Sequence, residues 1–285
     1  MVAEPTPADC VLLVNRRAGS IREDDLERLL AALPGCRILS VAGGEDYRQL
    51  LSRADIAEDA LVVVVGGDGT VRAVAQAVAG TKHPFGIVPR GTFNNFARAL
   101  DIPLDLDAAL EAIQRGRARP VTFGNVNGRP FLEAAAIGLF GEALALGEAS
   151  KDLHYGDVVE RLRNVVASRQ FKYRLSGDSK RRGVARSLVV ANTPFIGAGL
   201  GIGEHNPEEP DLELTVNVGR SRIDLVKRLL RGLFRRPQPS LVRRVRVQRL
   251  RVETSPPMRV YADVDDAGET PAEIEAVSGG LKVIR

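Results

Sequence analysis

Cysteine is scarce in this 285-residue chain: Cys10 and Cys36 are the only two, and neither stands in a CxxC or metal-ligand spacing. Two thiols are too few for a disulfide framework, which favours a reducing compartment. Long apolar runs are missing as well, since none reaches the roughly 18 residues that a spanning helix needs. The start, MVAEPTPADC, has neither a basic n-region nor an apolar h-region, so no secretory leader is expected. These absences point to a cytoplasmic protein that does not cross a membrane. Acidic residues are depleted in one stretch only. From Arg220 to Arg251 there are twelve Lys or Arg against the single acid Asp224, which leaves the remainder at −7 although the net charge is +4. The basicity is local. His83, His154 and His205 have no ligand spacing with one another or with cysteine, and no repeat or low-complexity tract is present.

What is present changes character near residue 120. Val11 to Val14 reads as a short strand, and Ser20 with Glu23 has the spacing of a capping box ahead of a helical run ending at Pro34-Gly35. Leu61 to Val65 is apolar without alternation, as suits a strand covered on both faces, and leads through Gly66-Gly67-Asp68-Gly69-Thr70 into a helical stretch over 71–79. Pro84 to Val88 predicts another strand, Pro89-Arg90-Gly91-Thr92 a turn, and Asn94 to Leu100 a helical turn. Residues 1–120 are therefore expected to form a three-layer α/β domain with a mainly parallel sheet. Beyond it the runs are short and β-like: Val121 to Val126, Phe131 to Ile137, Phe171 to Leu175, Leu188 to Ala191, Leu212 to Val218 and Val242 to Val252. Helical inserts are expected near 158–168 and 223–234. Residues 121–285 thus predict an antiparallel β-sandwich, the last residues packing back on the first domain.

Glycine turns that follow parallel strands converge at the carboxyl edge of the sheet, where such folds bind ligands. At Gly66 to Thr70 the absent side chains let main-chain N–H groups approach a polyphosphate, and the helix behind offers its positive end. Asp68 beside a triphosphate makes electrostatic sense if Mg²⁺ lies between them. The bland alternative is a turn with a capping Thr70 and no ligand.

These motifs, VVVVGGDGTVRAVAQAVAG and GIVPRGTFNNFARALDIP, resemble the diacylglycerol kinase catalytic-domain family, which includes sphingosine and bacterial lipid kinases. GGDGT is shared with NAD kinases and phosphofructo-type kinases, whereas the second motif marks the lipid branch. Pro89, Gly91, Thr92, Asn94, Phe96 and Ala97 match its P-x-G-T-x-N-D-F-A pattern, and Asn95 replaces the usual acid. VLLVNRRAGS is similar to the family's first strand and turn, with Asn15, Gly19 and Ser20 matching and Arg16 in place of proline; VANTPFIGAGLGIG resembles its second-domain glycine turn. The resemblance implies ATP and Mg²⁺ held between two domains, with Thr92 and Asn94 as polar contacts to the nucleotide. The bland alternative is that these two cap the short helix that follows.

Phosphoryl transfer to an alcohol asks for one carboxylate to accept the proton. The family carries it in a D-G-E motif, and the ungapped register from Thr270-Pro271 and Ile274 places Asp263, Val264 and Asp265 there, making Asp263 the expected general base. A slipped register would give Asp266. If the family's glycine holds a special backbone angle, Val264 would find it costly. The family's acid-rich D-D-G-x-L-D segment, which can hold a structural Mg²⁺, corresponds to Glu208, Glu209, Pro210, Asp211, Leu212 and Glu213; Glu209, Asp211 and Glu213 are its candidate ligands, with a solvated loop as the alternative.

In IDLVKRLLRGLFRR, residues 223–236, one face is apolar and Lys227, Arg228, Arg231, Arg235 and Arg236 flank it. Such a helix can lie on an anionic membrane, at about 1 kcal/mol per cation, or pack against its own domain with the arginines in water. A membrane at the inner face would deliver a lipid alcohol laterally. Nucleic acid is not expected, for Phe234 is the segment's only stacking aromatic. A homodimer stays open, as do a catalytically silent nucleotide or lipid binder and an NAD kinase as alternatives to the lipid kinase.

Overall fold

Leu61 to Val65 are all buried, and the reason is a strand with neighbours on either side and cover above and below. The computed structural model describes residues 10–15, 23–41, 46–142, 170–197, 199–217 and 243–285. The chain divides into two compact units, the first comprising residues 1–121 with 279–285 and the second residues 122–278.

The first unit runs β1 (Cys10–Asn15), α1 (Glu23–Ala32), β2 (Arg37–Val41), α2 (Tyr47–Arg53), β3 (Leu61–Gly66), α3 (Asp68–Val78), β4 (Pro84–Pro89), α4 (Asn95–Ala99) and α5 (Leu106–Gln114). Its strands lie in the order β2-β1-β3-β4, all parallel. Strand alternation sends Leu61, Val63 and Val65 into one cluster with Leu29 of α1 and Leu106, Leu110 and Ile113 of α5. Val62 and Val64 are buried on the opposite face. Two helix starts are read from local chemistry: Asp46 accepts the N–H of Gln49 at α2, and Asp105 those of Asp107 and Ala108 at α5.

The sequence reading passes over β2, α2 and α5. Missing β2 hides a further fact, because pairing of β1 with β2 in the register Val11↔Arg37 sets Cys10 beside Cys36, and the two form a disulfide. Two cysteines, too few for a framework, nonetheless make one bond, and it runs against the reducing compartment expected from their scarcity. The Ser20–Glu23 capping box and the helices expected at 158–168 and 223–234 fall wholly or partly outside the described residues.

Strand β5 (Ala118–Val126) leads into the second unit, which continues with β6 (Arg129–Phe131), β7 (Ala134–Gly138), β8 (Phe171–Gly177), β9 (Arg181–Ala185), β10 (Ser187–Ala191), β11 (Phe195–Ile196), β12 (Leu200–Gly201), β13 (Leu212–Asn217), β14 (Arg243–Val247), β15 (Arg249–Ser255), β16 (Arg259–Ala262), β17 (Asp265–Glu269) and β18 (Ala272–Ile284). One antiparallel layer is ordered β14-β13-β10-β7-β16-β17, and the other carries β18-β15-β8-β9. Ile137, Leu188, Leu214 and Val260 of the first layer share a core with Phe171, Leu175, Leu250 and Val252 of the second. The last residues of β18 return to the first unit, where Lys282 and Val283 pair in parallel with Pro84 and Phe85 of β4.

Two expected strands are each divided. Between Val242 and Val252 the apolar positions change phase: Val245 and Val247, then Leu250 and Val252. One residue of slip turns a strand's core face over, and the chain answers by leaving one sheet at Gln248 and entering the other. Asp178 pins the change, accepting the N–H groups of Gln248 (2.7 Å) and Arg249 (2.8 Å). The run Phe131 to Ile137 breaks at Leu132-Glu133, where the backbone donors turn to a side chain.

Candidate functional site

Two glycine turns of the first unit lock together main chain to main chain. A Cβ on Gly91 would fall 2.6 Å from the Cα of Gly67, and one on Gly67 would fall 3.0 Å from the Cα of Gly91. No larger residue fits either place without moving backbone. Asn94, at φ +50°, closes its own turn by accepting the Gly91 N–H (2.9 Å) and donating Nδ2–H to the Gly91 carbonyl (2.8 Å). Asp68 then ties the two turns, its Oδ2 accepting from Asn94 N–H (2.8 Å) and its Oδ1 from Asn95 N–H (2.6 Å). The carboxylate of one loop thus caps the helix of the other, and Asn94, at the N-cap of α4, makes no side-chain capping bond itself. Asn15 Nδ2 donates to Thr70 Oγ1 (3.0 Å), joining the end of β1 to the start of α3.

Asn15, Gly66, Gly67, Asp68, Gly69, Thr70, Gly91 and Asn94 are brought to the carboxyl ends of β1, β3 and β4, whereas Gly19 and Ser20 lie outside the described residues. Two positions remain open in this cluster. A Cβ on Gly69 would meet nothing within 4 Å, and Thr92 is exposed. The N-terminus of α3 has no side-chain cap, because Gly67 stands at its N-cap. Uncapped N–H groups beside an open glycine are what a phosphate requires. Asp68 is half-buried, and a carboxylate there is the hard oxygen ligand that suits the hydration shell of Mg²⁺.

Asp263 has different surroundings in the second unit. It is 1% exposed, and its oxygens accept from Leu132 N–H (2.9 Å), Glu133 N–H (2.8 Å) and Ala134 N–H (3.0 Å). Those are the donors released where the run 131–137 bends. Asn192, also buried, donates to the carbonyls of Leu132 (2.9 Å) and Thr122 (2.9 Å) and holds the same bend. The pairing Ala262↔Asp265 makes Asp263-Val264 a two-residue hairpin turn, and the left-handed angle falls on Asp263 (φ +56°). Val264 carries no special angle, so its replacement of glycine is harmless to the backbone. Asp265, next along, is half-buried, and Asp266 is exposed.

At the acid-rich segment, Glu209 and Asp211 converge with His205, all three ligand-type atoms lying within 4.8 Å of one another. Glu213 is buried on β13, and burial, opposed by Arg244 and Arg246, pushes its carboxyl above the usual range. His205, which sequence spacing left without a role, enters this cluster because the loop folds back on itself. Its neighbour Arg246 comes from a strand over thirty residues away.

The family profile described as "Diacylglycerol kinase catalytic domain" matches residues 9–126, and "YegS C-terminal NAD kinase beta sandwich-like domain" matches residues 144–285. A diacylglycerol kinase of Mycobacterium tuberculosis is 32% identical over 272 residues, covering 88% of this chain and 85% of that protein. An uncharacterised Synechocystis protein is 26% identical over 247 residues, and there the match covers 83% of this chain but 57% of the longer relative. A crystal structure of a diacylglycerol kinase from Bacillus anthracis superposes with a TM-score of 0.75 at 23% identity, over 97% of this chain and 96% of that one, which speaks to the fold. With a catalytic-domain profile over the glycine turns, a sandwich profile over the second unit and a near full-length relative, the chain belongs to the diacylglycerol kinase catalytic-domain family.

Proposed function

We propose that the chain is an ATP-dependent kinase that transfers the γ-phosphate to the hydroxyl of diacylglycerol or a related lipid alcohol. The observation that carries this reading is the interlock of Gly67 with Gly91 around an uncapped helix start, an anion cradle that only glycine can build. In this reading Gly66 to Thr70 and Gly91 to Asn94 receive the triphosphate, Thr92 offers a hydroxyl to the nucleotide, and Asp68 orients Mg²⁺ while holding α4 in place. Bound with the nucleotide, Mg²⁺ supplies neutralisation of phosphate charge.

The proton acceptor is reassigned. A carboxylate that already takes three main-chain N–H bonds at 1% exposure is a poor base, because at least three of its roughly four lone-pair sites are taken and burial closes it to an alcohol. In this reading Asp263 is a positioning residue, and Asp265, half-buried on the same hairpin where Asp266 is exposed, accepts the alcohol proton.

The test is transfer of label from [γ-³²P]ATP into a total lipid extract, with NAD as a parallel acceptor. A labelled lipid supports the proposal. Label in NAD alone would replace it with the NAD kinase reading, and nucleotide binding without transfer to any acceptor would favour a silent binder. Asp265→Asn should abolish transfer while leaving ATP affinity unchanged. Access to the lipid is assigned to residues 223–236 on an anionic membrane; charge reversal of Arg235 and Arg236 should release the protein from phosphatidylglycerol vesicles, and retention would remove the segment from that role.

A further inference from the structure

The acid-rich segment of this family can hold a structural divalent cation, and the residues present do not fit one. The middle of the cluster is already filled by an arginine. Arg246 Nη1 contacts Nδ1 of His205 and Oε2 of Glu209, and lies 3.1 Å from Oδ1 of Asp211. These belong to the same three residues that would have to converge on a metal. An ion bound there would need oxygens at about 2.0–2.6 Å, in space the guanidinium nitrogen occupies, and the two cations would repel.

The placement follows from the fold. Antiparallel pairing of β13 with β14 sets Glu213 opposite Arg246 and Thr215 opposite Arg244, so both arginines project along the acid loop. Arg244 serves the remaining acids, with Nη1 3.1 Å from Glu204 and Nε 3.6 Å from Glu213. Each expected ligand, Glu209, Asp211 and Glu213, thus has an arginine of one strand as its cation. A guanidinium keeps its charge at any working pH and only donates hydrogen bonds, so Nδ1 of His205 must be the acceptor and its ring neutral. Burial and the same arginine push His205 towards the neutral form, consistent with this assignment. A tethered cation also avoids the dehydration that Mg²⁺ resists.

We propose that Arg246, supported by Arg244, is the built-in counter-ion of the acid loop, and that this chain needs no divalent metal there. The pocket that a relative could fill from solution is filled here from strand β14.

Thermal unfolding of the nucleotide-free full chain, in EDTA and in excess MgCl₂ or MnCl₂, reads this without reference to kinase activity. Wild type and the Glu209→Gln, Asp211→Asn double variant should respond to metal equally, because those carboxylates bind none. Arg246→Gln should melt about 5 °C lower and should gain a metal-dependent rise that wild type lacks, its freed acids now able to ligate. Arg246→Lys, which keeps the charge and should fold even if the glutamine variant does not, should melt between the two and stay unresponsive. A metal response in wild type that the double variant loses would overturn the proposal. So would an Arg246→Gln protein that melts like wild type.

Discussion

Asp68 in the first unit and Asp263 in the second do the same local work and end with different freedom. Each carboxylate gathers main-chain N–H groups from a distant segment, Asp68 two from the start of α4 and Asp263 three from the bend before β7. Asp68 is half-buried and sits beside an open glycine, whereas Asp263 is sealed. An acid can be both a brace and a ligand only while solvent can still reach it.

Substitution can break this comparison. The largest effect is expected at Asp263→Ala, which leaves three buried N–H groups without an acceptor and should cost about 4 kcal/mol of stability, measured by urea unfolding. Asp68→Ala should cost less than half as much and should lose ATP affinity instead, by calorimetric titration. Equal losses of stability would erase the distinction. If Asp263→Asn kept its full melting temperature and lost only turnover, Asp263 would be a reacting group after all.

The glycines sharpen the same contrast within one unit. Gly91→Ala drives a methyl into the Gly67 backbone and should destabilise the fold by about 3 kcal/mol. Gly69→Ala meets nothing in the protein, so stability should hold or rise slightly, while the methyl obstructs an approaching phosphate and ATP affinity should fall about tenfold. Unchanged affinity in Gly69→Ala would move the phosphate elsewhere.

The smallest effect concerns pH. The N–H groups of Arg249 and then Gln248 hold the Asp178 carboxyl below its usual range. A folded-state value below the unfolded one gives stability that is present above the unfolded value and is lost as pH falls through the folded one. Asp178→Asn should therefore flatten the acid limb of the unfolding midpoint below about pH 4, and an unaltered limb would refute the assignment.

How much of this was legible beforehand depended on distance along the chain. The glycine turns and the strands before them are local patterns, and Gly66 to Thr70 lie beside Gly91 and Asn94, while Gly19 and Ser20 fall outside the described residues. The phase change between Val247 and Leu250 was also legible, since alternation slips by one residue, and reading it as one strand ignored that slip. The surroundings of Asp263 were not. Its three donors stand about 130 residues earlier, and nothing in the run 131–137 announces that it bends. The clasp on the acid loop was hidden for the same reason, because Arg246 belonged to a run read as a strand and as part of a basic stretch, with no sign of which acids it would face. Arg244, Arg246 and Arg251 prove to be paired with acids of their own unit.

The pairing of Lys282 and Val283 with β4 has a consequence for biosynthesis. Val283 and Ile284 are buried within the first unit although more than 150 residues of the second separate them from the rest of it. On the ribosome, the first unit waits for residues 279–285 until the whole of the second has been translated. A nascent chain stalled before residue 279 would carry the glycine turns on an unfinished sheet, with the flank of β4 bare and open to adventitious strand partners.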